Sequence, residues 1–75
     1  SLDDRTMERS INAWRSVIVE ILQGYYEFDD EDFRLYCPAM YALVIQILDK
    51  SVPTELRHAI KQFLSRVGEL YLSTD

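Results

Sequence analysis

Five carboxylate side chains occupy the six positions from Glu27 to Asp32, the densest run of chemically active groups in the chain. Carboxylates can bind metal ions, but a calcium loop of the EF-hand type needs spaced ligands and a central glycine, which this run lacks. A zinc site would need His or Cys, and neither is present here. An apolar helical series follows directly, so Asp29 or Asp30 is predicted to cap a helix start. The alternative is an acidic surface that meets a basic partner. No metal or other cofactor is predicted.

Cys37 and His58 are the single cysteine and the single histidine, and they are the other candidates for chemistry. A catalytic thiol needs a base placed against it, and no local pattern ties these two residues together. Cys37 beside Pro38 is therefore predicted to be a small buried apolar residue. One cysteine cannot form an internal disulfide, which together with the lack of a secretory signal suits the reducing cytosol. We predict that the chain is not an enzyme.

The aromatic residues could be mistaken for a ligand cage, but most of them fall on helical apolar faces, so we predict that they form the core. These residues are Trp14, Tyr25, Tyr26, Phe28, Phe33, Tyr36, Tyr41, Phe63 and Tyr71.

Composition restricts the classes of partner. The chain has 75 residues and a net charge of −5, and its eight basic residues are scattered, which argues against binding to nucleic acid. No apolar run approaches the roughly 18 residues of a membrane-spanning helix. The sequence begins with Ser1 and not with Met. We therefore expect one small domain, spanning residues 1–75, that is a fragment of a much larger protein.

Apolar residues recur at steps of three and four, which predicts an all-α fold with helices at about residues 3–23, 30–50 and 53–72. Gly24 is predicted to close the first helix in a left-handed conformation. Pro38 removes a backbone donor, which predicts a second helix that is kinked or broken at about 36–38. The second and third helices are apolar over more surface than one neighbour covers, as in a HEAT-like α-solenoid fragment.

The region from Trp14 to Leu72 resembles the far C-terminal helical region of the large Arf guanine-nucleotide exchange factors, the Sec7/BIG family. The matching features are the run from Trp14 to Tyr25, Phe28, Phe33, the block from Tyr41 to Leu48, Glu55 to Arg57, Phe63 with Leu64, and Arg66 to Glu69. Ala42 stands where that family commonly has proline. The resemblance implies a cytoplasmic protein that associates peripherally with Golgi and endosomal membranes in vesicle trafficking. It also implies that a separate Sec7 domain, absent from this chain, performs nucleotide exchange.

The resemblance thus implies a non-catalytic regulatory module that binds protein partners. These would be Arf or Rab-type small GTPases, or other parts of the same exchange factor. The alternative is a structural segment that caps a solenoid or forms a homodimer and makes no direct GTPase contact. For a partner contact we select the charged positions Arg57, His58, Lys61 and Arg66. Ordinary solvated helix faces, or arginines that pair with acidic residues and hold helices together, are the competing interpretations.

Overall fold

A computed structural model describes residues 2–48 and 52–72, and these form three α-helices. Helix α1 spans Leu2–Tyr26, α2 spans Asp30–Leu48 and α3 spans Thr54–Tyr71. The all-α fold class is confirmed. The last two predicted residues of the second helix, 49 and 50, and the terminal residues 73–75 lie outside the described residues. None of the three helices combines the length and apolar character required to cross a bilayer.

The helices α1 and α3 run side by side in the same direction. Val19 and Leu56 line one surface depression, and further along both helices the carbonyl of Tyr26 accepts a hydrogen bond from Arg66. Helix α2 runs in the opposite direction. Near its start Arg34 hydrogen-bonds to Leu70 near the end of α3, and further along α2 the ring of Tyr41 contacts the ring of Phe63 in the middle of α3. The chain therefore forms an up-down-up arrangement with a shared core between all three helices.

Aromatic stacking organises the centre of the core. The rings of Tyr25 and Phe33 stack with centroids 4.4 Å apart, and Phe63 packs against both at 5.8 and 5.9 Å. The Tyr25 hydroxyl donates a hydrogen bond to the carbonyl of Phe33, which satisfies its polar end inside the core. Among the side chains that the structure describes, the buried ones are Leu22, Tyr25, Phe33, Cys37, Val44, Leu56, Ala59, Ile60 and Phe63.

Helix α1 does not end at Gly24, contrary to the prediction. It continues to Tyr26, and no described glycine adopts a positive φ. Two shorter-range bonds close the last turn, from the Glu27 amide to the Gly24 carbonyl at 3.2 Å and from the Phe28 amide to the Tyr25 carbonyl at 3.0 Å. Burial of the Tyr25 ring in the core keeps this residue helical, so the packing overrides the local glycine signal.

Helix α2 is continuous through Pro38, so the break predicted at 36–38 does not occur, while the alternative of a kink there stays a prediction. Phe33 and Cys37 before the proline and Val44 after it are all buried in one core. Pro38 and Arg34 both lie on the exposed side of α2, where water can solvate the Arg34 carbonyl that lacks its usual donor. The continuous apolar face therefore holds both halves of α2 in one helix.

The aromatic core prediction holds for three residues and is wrong for six. Tyr25, Phe33 and Phe63 are buried, whereas the other six aromatic side chains are exposed, as are seven large aliphatic ones. The exposed aromatics are Trp14, Tyr26, Phe28, Tyr36, Tyr41 and Tyr71. Three helices of this length cover only one face of each other, so helical spacing alone does not determine which apolar residues are enclosed.

Candidate protein-interaction surfaces

The outward face of α3 carries three basic or titratable side chains at helical spacing. Arg57 and Lys61 are four residues apart and His58 is three residues before Lys61, so all three share one face of the helix. All three are exposed, opposite the buried Ala59, Ile60 and Phe63. The Arg57 Nη2 donates to the carbonyl of Val52 at 3.3 Å, which turns the arginine towards the start of α3. We call Arg57, His58 and Lys61 the α3 basic face.

Arg66, the fourth selected residue, lies away from this face and joins all three helices. From α3 its Nη1 donates to the Tyr26 carbonyl at the end of α1, and its Nη2 lies 3.0 Å from Asp30 Oδ1 at the start of α2. Its guanidinium carbon sits 4.3 Å from the centre of the Phe33 ring. Only 16% of the Arg66 side chain is exposed. These contacts favour the competing interpretation for Arg66, an arginine that holds helices together.

Arg34 makes a second inter-helix contact, which we did not anticipate from the sequence. Its Nη2 donates to the Leu70 carbonyl near the end of α3 at 3.4 Å, and its guanidinium lies 5.7 Å from the centre of the Tyr71 ring. Arg34 and Arg66 thus each bring positive charge to the C-terminal end of another helix, where free carbonyls and the helix dipole favour a cation. The hydrogen-bond partners of the two arginines lie 36 to 40 positions away in the sequence, so no local pattern indicates them.

The acidic run from Glu27 to Asp32 begins α2, as predicted. The Asp32 amide donates to Asp29 Oδ1 at 2.9 Å, and the Phe33 amide donates to the Asp29 carbonyl at 2.8 Å. Asp29 is therefore the N-cap, while Asp30 pairs with Arg66. Within residues 2–48 and 52–72, no group of three or more His, Cys, Asp or Glu side chains is placed to hold a metal ion.

Cys37 and His58 occupy different environments. The Cys37 thiol is free and buried beside Tyr25, which confirms its predicted place in the core, whereas His58 is exposed on the α3 basic face. Burial raises the pKa of the Tyr25 hydroxyl above its usual range, and the neighbouring Cys37 adds to this rise while Arg66 opposes it. The tyrosine therefore stays protonated and acts as a hydrogen-bond donor within the core.

Residues 1–65 match the family model described as the BIG2 C-terminal domain, which accounts for most of the chain. The chain belongs to the BIG2 C-terminal domain family. This assignment confirms the resemblance to the C-terminal region of the large Arf exchange factors. The matched part of the chain includes α1, α2 and the first two-thirds of α3. It therefore contains the α3 basic face but not Arg66.

Two curated relatives are similar to this chain over almost its whole length. They are the mouse and human proteins named brefeldin A-inhibited guanine nucleotide-exchange protein 3, and each is 27% identical over 71 residues. These residues make up 95% of this chain but only 3% of each relative. No solved structure gives a significant match, so the relation to HEAT-like solenoids stays a prediction.

Proposed function

We propose that this chain is a non-catalytic interaction module from the C-terminal region of an Arf guanine-nucleotide exchange factor. Its family, and its similarity to guanine nucleotide-exchange proteins, support this assignment. The matched family is a C-terminal domain. The resemblance implies that a different domain, the Sec7 domain, performs nucleotide exchange. By the same resemblance, the parent protein acts in the cytoplasm, at Golgi and endosomal membranes, in vesicle trafficking.

The α3 basic face is the observation that carries the interaction role. Arg57, His58 and Lys61 project from the side of α3 that faces away from the core, and His58 and Lys61 have no polar partner among the described residues. A cluster of positive charge on a chain of net charge −5 provides a local attraction for an acidic surface. The proposed partners are Arf or Rab-type small GTPases, or an acidic part of the same exchange factor. Arg66 serves mainly to hold the helices together.

Charge reversal tests this role. The chain is immobilised and purified Arf and Rab GTPases, loaded with either GDP or a slowly hydrolysed GTP analogue, are passed over it. The double variant Arg57→Glu/Lys61→Glu is expected to weaken capture by at least about tenfold, mainly through slower association. The matched control is Arg5→Glu/Arg9→Glu, which reverses two exposed charges at the same spacing on α1 and should preserve capture. Unchanged capture by the α3 variant would exclude the basic face.

A structural role is the second candidate, and the exposed apolar surface favours it. Thirteen large apolar side chains are exposed in the described part of the chain, more than an isolated small domain needs. Under this alternative the chain caps a helical scaffold or forms a homodimer, and no GTPase binds. Light scattering over a range of concentrations separates the two, because a dimer that forms without GTPase capture would support the structural role.

A further inference from the structure

An open apolar groove lies between α1 and α2, on the side of the molecule away from α3. Ile21, Gly24 and Phe28 form one wall, Tyr36 and Met40 form the other, and the volume is about 430 Å³. The side chains of Ile21, Phe28 and Tyr36 are each more than two-fifths exposed. The groove continues along α1 as an exposed stripe, because Trp14 and Val17 precede Ile21 at steps of seven and four residues.

The charges around this groove have one sign. Of the residues that the structure describes, Glu20 is the only charged one that lines it. The exposed Glu27 lies next to Phe28 and the exposed Asp32 lies one turn before Tyr36, so both flank the groove. Arg34 of α2 and Arg66 of α3 do not line the groove. Arg34 donates a hydrogen bond to the Leu70 carbonyl and Arg66 donates one to the Tyr26 carbonyl. The groove therefore has an apolar floor and an acidic rim.

We infer that this groove binds an amphipathic helix of another protein, whose apolar stripe is flanked by lysine or arginine. Two neighbouring helices leave a furrow that accepts a third helix, with apolar anchors at i, i+3 or i+4, and i+7. Basic flanking residues would pair with Glu20, Glu27 and Asp32, which gives the site its selectivity. A symmetric dimer that packs two of these grooves together is disfavoured, because it would bring Glu20, Glu27 and Asp32 of both copies to one interface. This surface is separate from the α3 basic face, and its test uses different variants.

Trp14 provides a direct readout, because it is the only tryptophan and is 65% exposed on the stripe that extends the groove. The probe is a synthetic helix-forming peptide of roughly 18 residues, with leucines on one face, flanking lysines and no aromatic residue. A second peptide keeps the leucines but replaces every lysine with glutamate. Titration of the whole chain with the lysine peptide should shift the Trp14 emission to shorter wavelength, and calorimetry gives the affinity. The glutamate peptide should not bind.

Two matched isoleucine variants locate the binding site. Ile21→Gln removes an apolar contact in the groove, and Ile45→Gln makes the same change at an exposed α2 position outside it. We expect Ile21→Gln to weaken the lysine peptide by about tenfold and Ile45→Gln to leave it within about twofold. Glu20→Gln should weaken it by about threefold and reduce its salt dependence. Circular dichroism verifies that each variant retains its helices.

Four results would overturn the inference. They are equal effects of the two isoleucine changes, no effect of either, binding of the glutamate peptide as tight as that of the lysine peptide, or a homodimer that Ile21→Gln dissociates. The last result would assign the groove to a second copy of the chain. None of them bears on GTPase capture by the α3 basic face, which the Arg57 and Lys61 variant tests by itself.

Discussion

The guanidinium carbon of Arg66 lies 4.3 Å from the centre of the fully buried Phe33 ring, so a charged side chain of α3 covers the aromatic centre of the core. The same side chain bonds the last turn of α1 and the first turn of α2. One residue therefore joins the three helices at the end of the bundle where the acidic run lies, and its removal should affect all of them.

Arg66→Ala is expected to reduce the free energy of unfolding by about 2–3 kcal/mol, because a partly desolvated cation–π contact and charge-assisted hydrogen bonds are lost together. Arg66→Lys should restore less than half of this loss, since an ammonium group lacks the planar fork that reaches both partners. Urea denaturation measures these differences. Asp30→Asn is the control: its carboxylate is 72% exposed, so the change should have an effect below about 1 kcal/mol. If Arg66→Ala is no more harmful than Asp30→Asn, Arg66 does not join the helices.

Asp29→Ala should destabilise the chain by about 1 kcal/mol, because the Asp32 amide loses the side-chain acceptor that caps α2. Asp29→Asn should retain most of the stability, since asparagine caps helices as well as aspartate does. Glu31→Ala removes a neighbouring exposed carboxylate with no capping role and should change the stability by less than about 0.5 kcal/mol. Thermal unfolding followed by circular dichroism compares the three. Equal losses for Asp29→Ala and Asp29→Asn would point to charge, and not to capping.

Phe63→Ala should destabilise the chain by about 3–5 kcal/mol, because the ring is fully enclosed and packs against Tyr25 and Phe33. Such a loss is comparable with the whole stability of a domain of this size, so the variant is expected to be largely unfolded at 37 °C. Phe28→Ala removes an equal side chain that is about two-fifths exposed, and should cost about 1–2 kcal/mol. Circular dichroism at 222 nm reads out the folded fraction. A folded, cooperative Phe63→Ala variant would contradict the assigned core.

Alkaline pH should destabilise the fold through Tyr25. Its pKa is raised by burial, so the folded chain keeps the phenolic proton above about pH 10, where an unfolded tyrosine loses it. The stabilisation is complete below pH 10 and declines above it, by about 1.4 kcal/mol per pH unit until the folded group also ionises.

Denaturant unfolding between pH 8 and 11.5 measures this decline, with Tyr25→Phe as the test and the half-exposed Tyr36→Phe as the control. Tyr25→Phe should be less stable near pH 8, because the hydrogen bond to the Phe33 carbonyl is lost, but its stability should fall less steeply above pH 10. Identical alkaline slopes for wild type and Tyr25→Phe would show that other groups cause the decline.

The periodicity of apolar residues was sufficient to predict the three helices, and the start of α2 within the acidic run, because capping and helical spacing are local properties of the chain. The same local rules misplaced two features. Gly24 does not end α1 and Pro38 does not interrupt α2, since the buried side chains of Tyr25 on one helix and Phe33 and Val44 on the other hold these segments helical. The free energy of core packing exceeds the local preference of a single residue at both positions.

The α3 basic face could be read from the sequence, because Arg57, His58 and Lys61 fall within two turns of one helix. The role of Arg66 could not, since its partners lie 36 and 40 positions away and meet it only when α1, α2 and α3 pack together. The groove between Ile21 and Tyr36 likewise arises from the packing, which leaves one side of two apolar helices uncovered. The sequence by itself determined which segments are helical, and the tertiary structure decided which apolar and charged side chains are enclosed, paired or presented to a partner.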